Sequence, residues 1–281
     1  MNEALNALRS SLKGELFTDN TTRIIYATDG SVYREKPLAV AWPKDEEDLK
    51  ELIHFARLNS SSLIPRTAGT SLAGQVVGNG IVVDLSKYMT NILKINPEEK
   101  WVRVQPGVIL DHLNFYVKEF GLFFGPETST SSRCMMGGMV GNNSCGSHLP
   151  LYGSTRDHIR SVKASLSDGS EVLFEPLSAE AFYEKTKQNS LEGKIYHQIQ
   201  AMLEDPQNRE EIRKNYPNPS IPRRNIGYAL DILLDMQPFN SQGKPFNFSA
   251  LLAGSEGPLA FFTEITFNLV PLPPKEVAVV F

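Results

Sequence analysis

The stretch Pro65-Arg-Thr-Ala-Gly-Thr-Ser-Leu72 has the composition of a loop that cradles phosphate. Leu63 and Ile64 indicate the end of a buried strand, and the small residues that follow leave successive backbone N–H groups free to converge on an anion. Gly69 can adopt backbone angles that residues with a Cβ avoid, and Arg66 adds a cation. The loop lacks the spacing and the lysine of a nucleotide-hydrolase loop. It predicts a bound pyrophosphate, with an ordinary polar turn as the alternative.

A second glycine-rich run, Met136-Gly-Gly-Met-Val-Gly-Asn-Asn-Ser-Cys-Gly146, follows further along the chain. Its four glycines in eleven residues are mixed with Met and Val rather than Ser and Pro, which suggests backbone pressed against a flat apolar group. A flavin ring fits that description. Asn142, Asn143 and Ser144 offer donors and acceptors for its polar edge or for a ribityl chain. The alternative is a tight loop that packs on its own protein.

Six segments in a fixed order make the chain resemble a known family. It is similar to the FAD-binding domain of the vanillyl-alcohol oxidase and p-cresol methylhydroxylase flavoprotein superfamily. Within that superfamily it most resembles the D-lactate dehydrogenase, glycolate oxidase and D-2-hydroxyglutarate dehydrogenase branch, especially the long members fused to an iron–sulfur module. The resemblance extends from about Ile24 to Pro273. The segments are Arg66–Gln75, Val104–Gly107, Gly125–Ser132, Gly137–Ser147, Tyr152–Asp157 and Gly254–Gly257.

The resemblance implies an α+β fold in which two lobes hold FAD between them. We expect residues 1–91 to form an α/β lobe with the pyrophosphate loop. Residues 92–281 should form a second α+β lobe with a helical insertion at about 178–247. Hydrophobic patterns agree, since they predict strands at Ala39–Trp42, Ser62–Pro65, Ile81–Leu85, Ile92–Ile95, Trp101–Val104 and Ile265–Leu269, and a hairpin of Val162–Leu166 with Glu171–Phe174.

The resemblance also implies which residues contact FAD. The first loop should hold the pyrophosphate chiefly through main-chain amides, using Arg66, Ala68, Gly69, Thr70, Ser71 and Leu72, with Gln75 closing the same pocket. The ribityl, ring or adenosine portions should contact Glu127, Thr128, Gly137, Gly138, Gly141, Asn142 and Gly146, with Ile159 and Glu256 as further candidates.

Thr70 lies where some superfamily members carry a histidine that is bonded to the flavin. Because a hydroxyl cannot form the usual histidyl bond, we predict non-covalent FAD. His148 and His158 flank the second glycine-rich run and are candidates to face the flavin, although such histidines often satisfy only local hydrogen bonds. Arg133 and Arg156 are candidates to neutralise a substrate carboxylate or a phosphate, or to pair with a neighbouring acid. The histidine spacing matches no metal motif.

The chemistry implied by the resemblance is oxidation of a 2-hydroxy acid such as D-lactate or glycolate. A hydride passes from the α-carbon to the flavin N5 while a base removes the hydroxyl proton. The chain ends at Phe281, where the family's substrate domain would begin. That domain, or a separate subunit, is expected to supply substrate-binding arginines, the catalytic histidine and any metal ligands, and an iron–sulfur module is a further expected partner. We therefore assign no catalytic residue and expect the isolated chain to bind FAD with little turnover.

The amino-acid composition limits the classes of protein to which the chain can belong. With 281 residues, 41% of them hydrophobic, the chain can bury a substantial core. A net charge of −4 with dispersed Lys and Arg excludes a nucleic-acid footprint. The two cysteines are too few for a disulfide framework and too few for an iron–sulfur site of their own. No apolar run has the length of a membrane span. We expect a cytoplasmic location, with peripheral association with a membrane-bound electron carrier left open.

Three other readings stay open from the sequence. The chain can be an FAD-binding module or subunit without turnover of its own. It can belong to the NADPH-dependent reductases of cell-wall precursor synthesis, which share the fold, although the Asn142–His148 stretch argues against them. It can also be a nucleotide-binding protein without flavin, in which case the two glycine-bearing segments match by coincidence.

Overall fold

The computed structural model describes residues 1–224 and 227–273. Its strands are β1 Glu15–Phe17, β2 Ala39–Trp42, β3 Leu63–Arg66, β4 Ile81–Asp84, β5 Ile92–Asn96, β6 Trp101–Val104, β7 Leu122–Phe123, β8 Ile159–Ser165, β9 Glu171–Phe174, β10 Phe261–Asn268 and β11 Val270–Pro271. Its helices are α1 Asn2–Ser11, α2 Asn20–Ile25, α3 Glu46–Leu58, α4 Leu110–Lys118, α5 Met136–Gly141, α6 Leu149–Tyr152, α7 Thr155–His158, α8 Ala179–Thr186, α9 Leu191–Glu204, α10 Pro206–Asn215, α11 Leu230–Leu234 and α12 Ser249–Leu252.

The first sheet has four strands in the order β1-β2-β4-β3. Strands β2 and β3 run parallel to β4, and β1 runs antiparallel to β2. The side chains of β4 are all buried, which is typical of a parallel strand covered on both faces. The Asp45 carboxylate accepts hydrogen bonds from the Glu47 and Asp48 amides and so caps α3. Helices α1 and α3 contribute to the core of this sheet.

The second sheet has five strands in the order β5-β6-β10-β8-β9, all paired antiparallel. Its core includes buried residues of α4 and α5, together with an aromatic cluster around Phe182, Tyr196 and Phe246. Leu177 and Phe246 exchange two backbone hydrogen bonds, so the chain leaves and rejoins the sheet region at one place. Between these residues lie the helices α8 to α11.

Charged side chains connect the two sheets on the surface. Both carboxylate oxygens of Glu46 on α3 lie 2.7 Å from the Lys163 Nζ on β8. Lys50 on the same helix pairs with Glu171 on β9 at 2.8 Å. The helix that covers the first sheet therefore also contacts the edge of the second.

Most element predictions are confirmed. Ala39–Trp42 and Trp101–Val104 have their predicted bounds, and β8 and β9 form the predicted hairpin. The closing strand ends at Asn268, one residue before the predicted Leu269. The second glycine-rich run contains a helix, α5, that its pattern did not predict. The division at residue 91 and the bounds of the insertion stay predictions, and residues 225–226 and 274–281 of the predicted second lobe lie outside the described residues.

Candidate functional site

A cavity of about 570 Å³ lies where loops that follow strands of the first sheet meet loops that follow strands of the second. The first sheet contributes Leu85 and the segment from Pro65 to Ala73. The second sheet contributes Pro106, which follows β6, and Phe262 in β10. Volumes of this size are typical of cofactor and small-molecule sites.

The first loop turns sharply at Gly69, whose φ of +66° is open to glycine and strained for most other residues. Its carbonyl oxygen accepts a hydrogen bond from the Gly30 amide at 3.1 Å. The guanidinium of Arg66 lies directly beneath this turn, since an ideal Cβ on Gly69 would be 2.6 Å from its Nη2. The loop backbone and the Arg66 guanidinium therefore lie together at the cavity.

The second glycine-rich run meets the first loop across the cavity. An ideal Cβ on Gly138 would lie 2.9 Å from the Thr67 Oγ1, and one on Gly137 would lie 2.6 Å from the Pro106 Cβ. The two glycines let α5 approach the first loop and the end of β6 more closely than side chains would allow. Both line the cavity.

A third segment, Gly254–Gly257, borders the cavity and is anchored to α5. The Gly254 amide donates to the Val140 carbonyl at 2.9 Å, and the Glu256 amide donates to the Gly141 carbonyl at 2.8 Å. Glu256 has a φ of +60°, which is uncommon for a residue with a side chain. Its carboxylate accepts a hydrogen bond from the Gln75 Nε2 at 2.8 Å, which links the third segment to the chain that follows the first loop.

The structure brings most of the residues predicted to contact a cofactor around this one cavity. Those that line it are Arg66, Ala68, Gly69, Thr70, Ser71, Leu72, Gln75, Thr128, Gly137, Gly138, Gly141, Asn142 and Glu256. Their predicted role as cofactor contacts stays a prediction.

Glu127, Gly146 and Ile159 are predicted contacts that do not line the cavity. An ideal Cβ on Gly146 would lie 2.1 Å from the Glu127 carbonyl oxygen, so this glycine permits a close approach between two segments of the protein itself. The Glu127 side chain turns to Ser147 and His148. Ile159 belongs to the hydrophobic core of the second sheet.

The cavity also includes residues that sequence reasoning did not assign. Pro106, Ser129 and Thr130 line the cavity and lie inside two of the segments that carry the family resemblance. The resemblance predicted no role for these three residues. Ser144, predicted to offer a hydrogen-bonding group to the polar edge or the ribityl chain, also lines the cavity. Other unassigned lining residues are Pro65, Thr67, Ala73, Val76, Leu85, Cys134, Met135, Met139, Cys145, Gly257, Ala260 and Phe262. Burial raises the pKa of the Cys134 thiol, so this cysteine stays protonated near neutral pH.

The two flanking histidines lie outside the cavity lining. His158 is buried, and its ring nitrogens lie 2.6 Å from the Tyr152 carbonyl oxygen and 3.1 Å from that of Asn268. His148 is exposed, with its Nδ1 2.6 Å from the Glu127 Oε1. Both histidines therefore satisfy local contacts.

Neither candidate arginine lines the cavity. Arg133 is exposed. Arg156 is buried and donates to the Ala250 carbonyl at 3.0 Å and to the Ala253 carbonyl at 2.5 Å. Its guanidinium thus ties α12 to α7 directly before the Gly254–Gly257 segment.

In residues 1–224 and 227–273, no group of three or more His, Cys, Asp or Glu residues is arranged to hold a metal ion. Over the same residues, no helix combines the length and the apolar character needed to cross a membrane.

Residues 37–174 match the family model described as FAD binding domain. A D-2-hydroxyglutarate dehydrogenase of Escherichia coli K12 is 38% identical over 263 residues, which cover 92% of this chain and 25% of that protein. A second, of Pseudomonas putida KT2440, is 37% identical over 281 residues, covering 99% of this chain and 27% of that protein. The chain thus spans about a quarter of the length of these curated relatives. A mitochondrial D-lactate dehydrogenase (cytochrome) of Kluyveromyces lactis is 30% identical over 142 residues, or 49% of this chain and 24% of that protein.

Solved structures share the fold. Alkyldihydroxyacetonephosphate synthase superposes with a TM-score of 0.65 over 98% of this chain and 41% of that chain. The identity is 15%, so this likeness concerns the fold alone. It confirms the predicted α+β fold of the p-cresol methylhydroxylase type.

Proposed function

We propose that the cavity between the two sheets holds FAD, because residues 37–174 match the family model described as FAD binding domain and border this cavity with both glycine-bearing segments. The observation that carries the proposal is the meeting of two glycine-bearing segments at one cavity, where a Cβ on Gly69 or Gly138 would fill space next to Arg66 or Thr67. Such a cradle suits a flat ring joined to a phosphate group.

We propose that the first loop binds the pyrophosphate. Gly69, Thr70 and Ser71 would do so through backbone amides and hydroxyls, and Arg66 would add a positive charge. Gly138, Gly141 and Asn142 would contact the ring or the ribityl chain. Glu127, Gly146 and Ile159 would not touch the cofactor. They would instead pack against the residues that line the cavity.

FAD would be held without a covalent bond to the chain. Thr70 borders the cavity at the position where a linking histidine would be expected, and no histidine is among the described residues that line the cavity. Two cysteines line the cavity, and the buried Cys134 is held as a neutral thiol, which is a poor nucleophile. Acid precipitation should therefore release the flavin into the supernatant, and a pellet that stayed yellow would contradict this proposal.

We propose that the complete protein oxidises a 2-hydroxy acid. The names of the relatives support this class of substrate, since two are D-2-hydroxyglutarate dehydrogenases and one is a D-lactate dehydrogenase. When bound, FAD would accept the hydride from the α-carbon of such a substrate. The residues of this chain would orient the cofactor and exclude water from it.

The proton-accepting group would come from outside this chain. Within the described part of the chain, the ionisable side chains that line the cavity are Arg66, Cys134, Cys145 and Glu256. Glu256 is already the hydrogen-bond acceptor of Gln75. This supports the second candidate function, an FAD-binding portion that has no turnover until a substrate domain or separate subunit joins it. On the strength of the sequence resemblance, we also propose an iron–sulfur module as a further partner. A cytoplasmic location stays a prediction from the sequence.

The experiment is FAD titration of the 281-residue chain, followed by anaerobic mixing with D-2-hydroxyglutarate, D-lactate or glycolate. We expect saturable binding at one FAD per chain and little bleaching of the flavin absorbance. Adding the remaining portion of a close relative should restore bleaching with one of the three acids. Failure to bind FAD contradicts the cofactor proposal. Bleaching by an NADPH control and by none of the acids would contradict the substrate class.

A further inference from the structure

A polar network lies behind the first loop and does not itself line the cavity. At its centre is Tyr26, at the end of α2, whose hydroxyl donates to the Asp84 Oδ2 at 2.6 Å and accepts from the Trp42 Nε1 at 2.9 Å. The other oxygen of Asp84 accepts a hydrogen bond from the Ser86 amide at 2.8 Å. The orientation of the Tyr26 ring is thus set from two sides.

Arg66 rests on the face of this ring. Its Cζ lies 5.0 Å from the centroid of the Tyr26 ring, within the range of a cation–π contact. Its Nη1 donates to the Thr28 carbonyl at 2.8 Å. The backbone of Arg66 is also held in place, because Arg66 is the register partner of Asp84 in the parallel pairing of β3 with β4.

The described groups that hold Arg66, the Thr28 carbonyl and the Tyr26 ring, carry no negative charge. Among the described residues, no carboxylate forms an ion pair with Arg66, although Asp84 lies on the neighbouring strand. The Asp84 carboxylate is used instead by Tyr26 and Ser86. Burial, together with the hydrogen bond to Asp84, raises the pKa of the Tyr26 phenol well above its usual range, so it remains a neutral donor. The network fixes the guanidinium in place and keeps its full charge for an anion.

We propose that Tyr26 is a positioning residue for pyrophosphate recognition, acting through Arg66. Its ring sets the guanidinium beneath the Gly69 turn, and its hydroxyl keeps Asp84 from neutralising that charge. This inference rests on the proposed binding of FAD. It adds a requirement at a residue that precedes Arg66 by 40 positions and lies outside every motif of the sequence.

The test is a double-mutant cycle on the 281-residue chain with Tyr26→Leu, Arg66→Met and both together, read out as the dissociation constant of FAD. Tyr26→Leu should weaken FAD binding about tenfold, in line with a cation–π contact away from bulk water. It should cause little further weakening once Arg66 is Met. Riboflavin, which lacks phosphate, should bind Tyr26→Leu and the parent chain within about twofold of each other, because the phosphate-dependent contact is absent.

Two further variants separate positioning from simple loss of packing. Tyr26→Phe keeps the ring and should weaken FAD binding less than Tyr26→Leu does. Tyr88→Leu is the matched control, because Tyr88 is also half-buried, lies next to the same sheet and donates its hydroxyl to a carboxylate, that of Glu15. It should leave FAD affinity unchanged.

Equal weakening by Tyr26→Leu with and without Arg66 overturns the inference, and so does a matching loss of riboflavin binding. If Tyr26→Leu unfolds, the same double-mutant cycle is measured with Tyr26→Phe in its place. Equal weakening of FAD binding by Tyr26→Phe with and without Arg66 then overturns the inference. A parent chain that fails to bind FAD contradicts the proposed function itself, whereas a parent chain that binds FAD without coupling between Tyr26 and Arg66 contradicts only this inference.

Discussion

Replacing Gly138 by leucine is expected to weaken FAD binding strongly while leaving the chain folded. Gly138 lies in α5 and lines the cavity. Among the described residues, the Thr67 hydroxyl is the one group within 4 Å of an ideal Cβ at this position. That hydroxyl can rotate away, so the new side chain would extend into the cavity and occupy the space of the ligand.

The expected loss of affinity is roughly 5- to 140-fold, since forcing extra methylene groups into an occupied site costs about 1–3 kcal/mol and every 1.4 kcal/mol is tenfold. Stability should change little, because leucine favours helix over glycine by roughly 0.5–1 kcal/mol. The measurement is FAD titration together with thermal unfolding. Gly138→Ala should weaken FAD less, and Lys194→Leu, at an exposed position of α9, should have no effect. Unchanged affinity in Gly138→Leu would mean that FAD binds elsewhere.

Replacing Arg156 by methionine is expected to destabilise the fold by about 3 kcal/mol, because the carbonyl groups that it satisfies would remain buried without a donor. Ala250 and Ala253 are both buried, and Arg156 donates to each. Their loss of a partner would also loosen the Gly254–Gly257 segment that follows. FAD affinity should therefore fall together with stability.

The measurement is urea unfolding monitored by circular dichroism. Arg156→Lys should lie between the parent and Arg156→Met, because an ammonium group cannot span both carbonyls as a planar guanidinium does. Arg160→Met is the matched control. That side chain is 42% exposed and pairs with Glu99 at the surface, so the change should cost less than about 1 kcal/mol. Equal effects of the two methionine variants would contradict the structural role of Arg156.

Strands and helices can be predicted from the sequence where a local pattern of apolar and polar residues determines them. Ala39–Trp42 and Ile81–Asp84 are short apolar runs that belong to a buried parallel sheet, and the alternation around Val162 and Val172 marks a hairpin. The helix α5 was missed because its three glycines disfavour a helix in isolation. Packing against Pro106 and the first loop overrides that preference.

The sequence predicts the candidate site mainly through the positions of its glycines, and these positions alone do not identify which glycines face the cavity. A glycine that lies against a ligand and a glycine that lies against its own protein look alike in sequence, which is why Gly138 lines the cavity and Gly146 instead meets the Glu127 backbone. Arg156 satisfies a carbonyl 94 residues away, and Tyr26 reaches Asp84 over 58 residues. No local pattern reports such pairings, because they exist only after the chain has folded.

The most direct measurement of the central claim is amide hydrogen exchange of the chain with and without FAD. We expect slower exchange in both the 66–72 loop and the 137–142 segment on binding, with weaker protection at 254–257 and none on helices α9 and α10, which do not line the cavity. FAD binding that protects neither glycine-bearing segment, or only one of them, would contradict the claim that the two enclose a single dinucleotide.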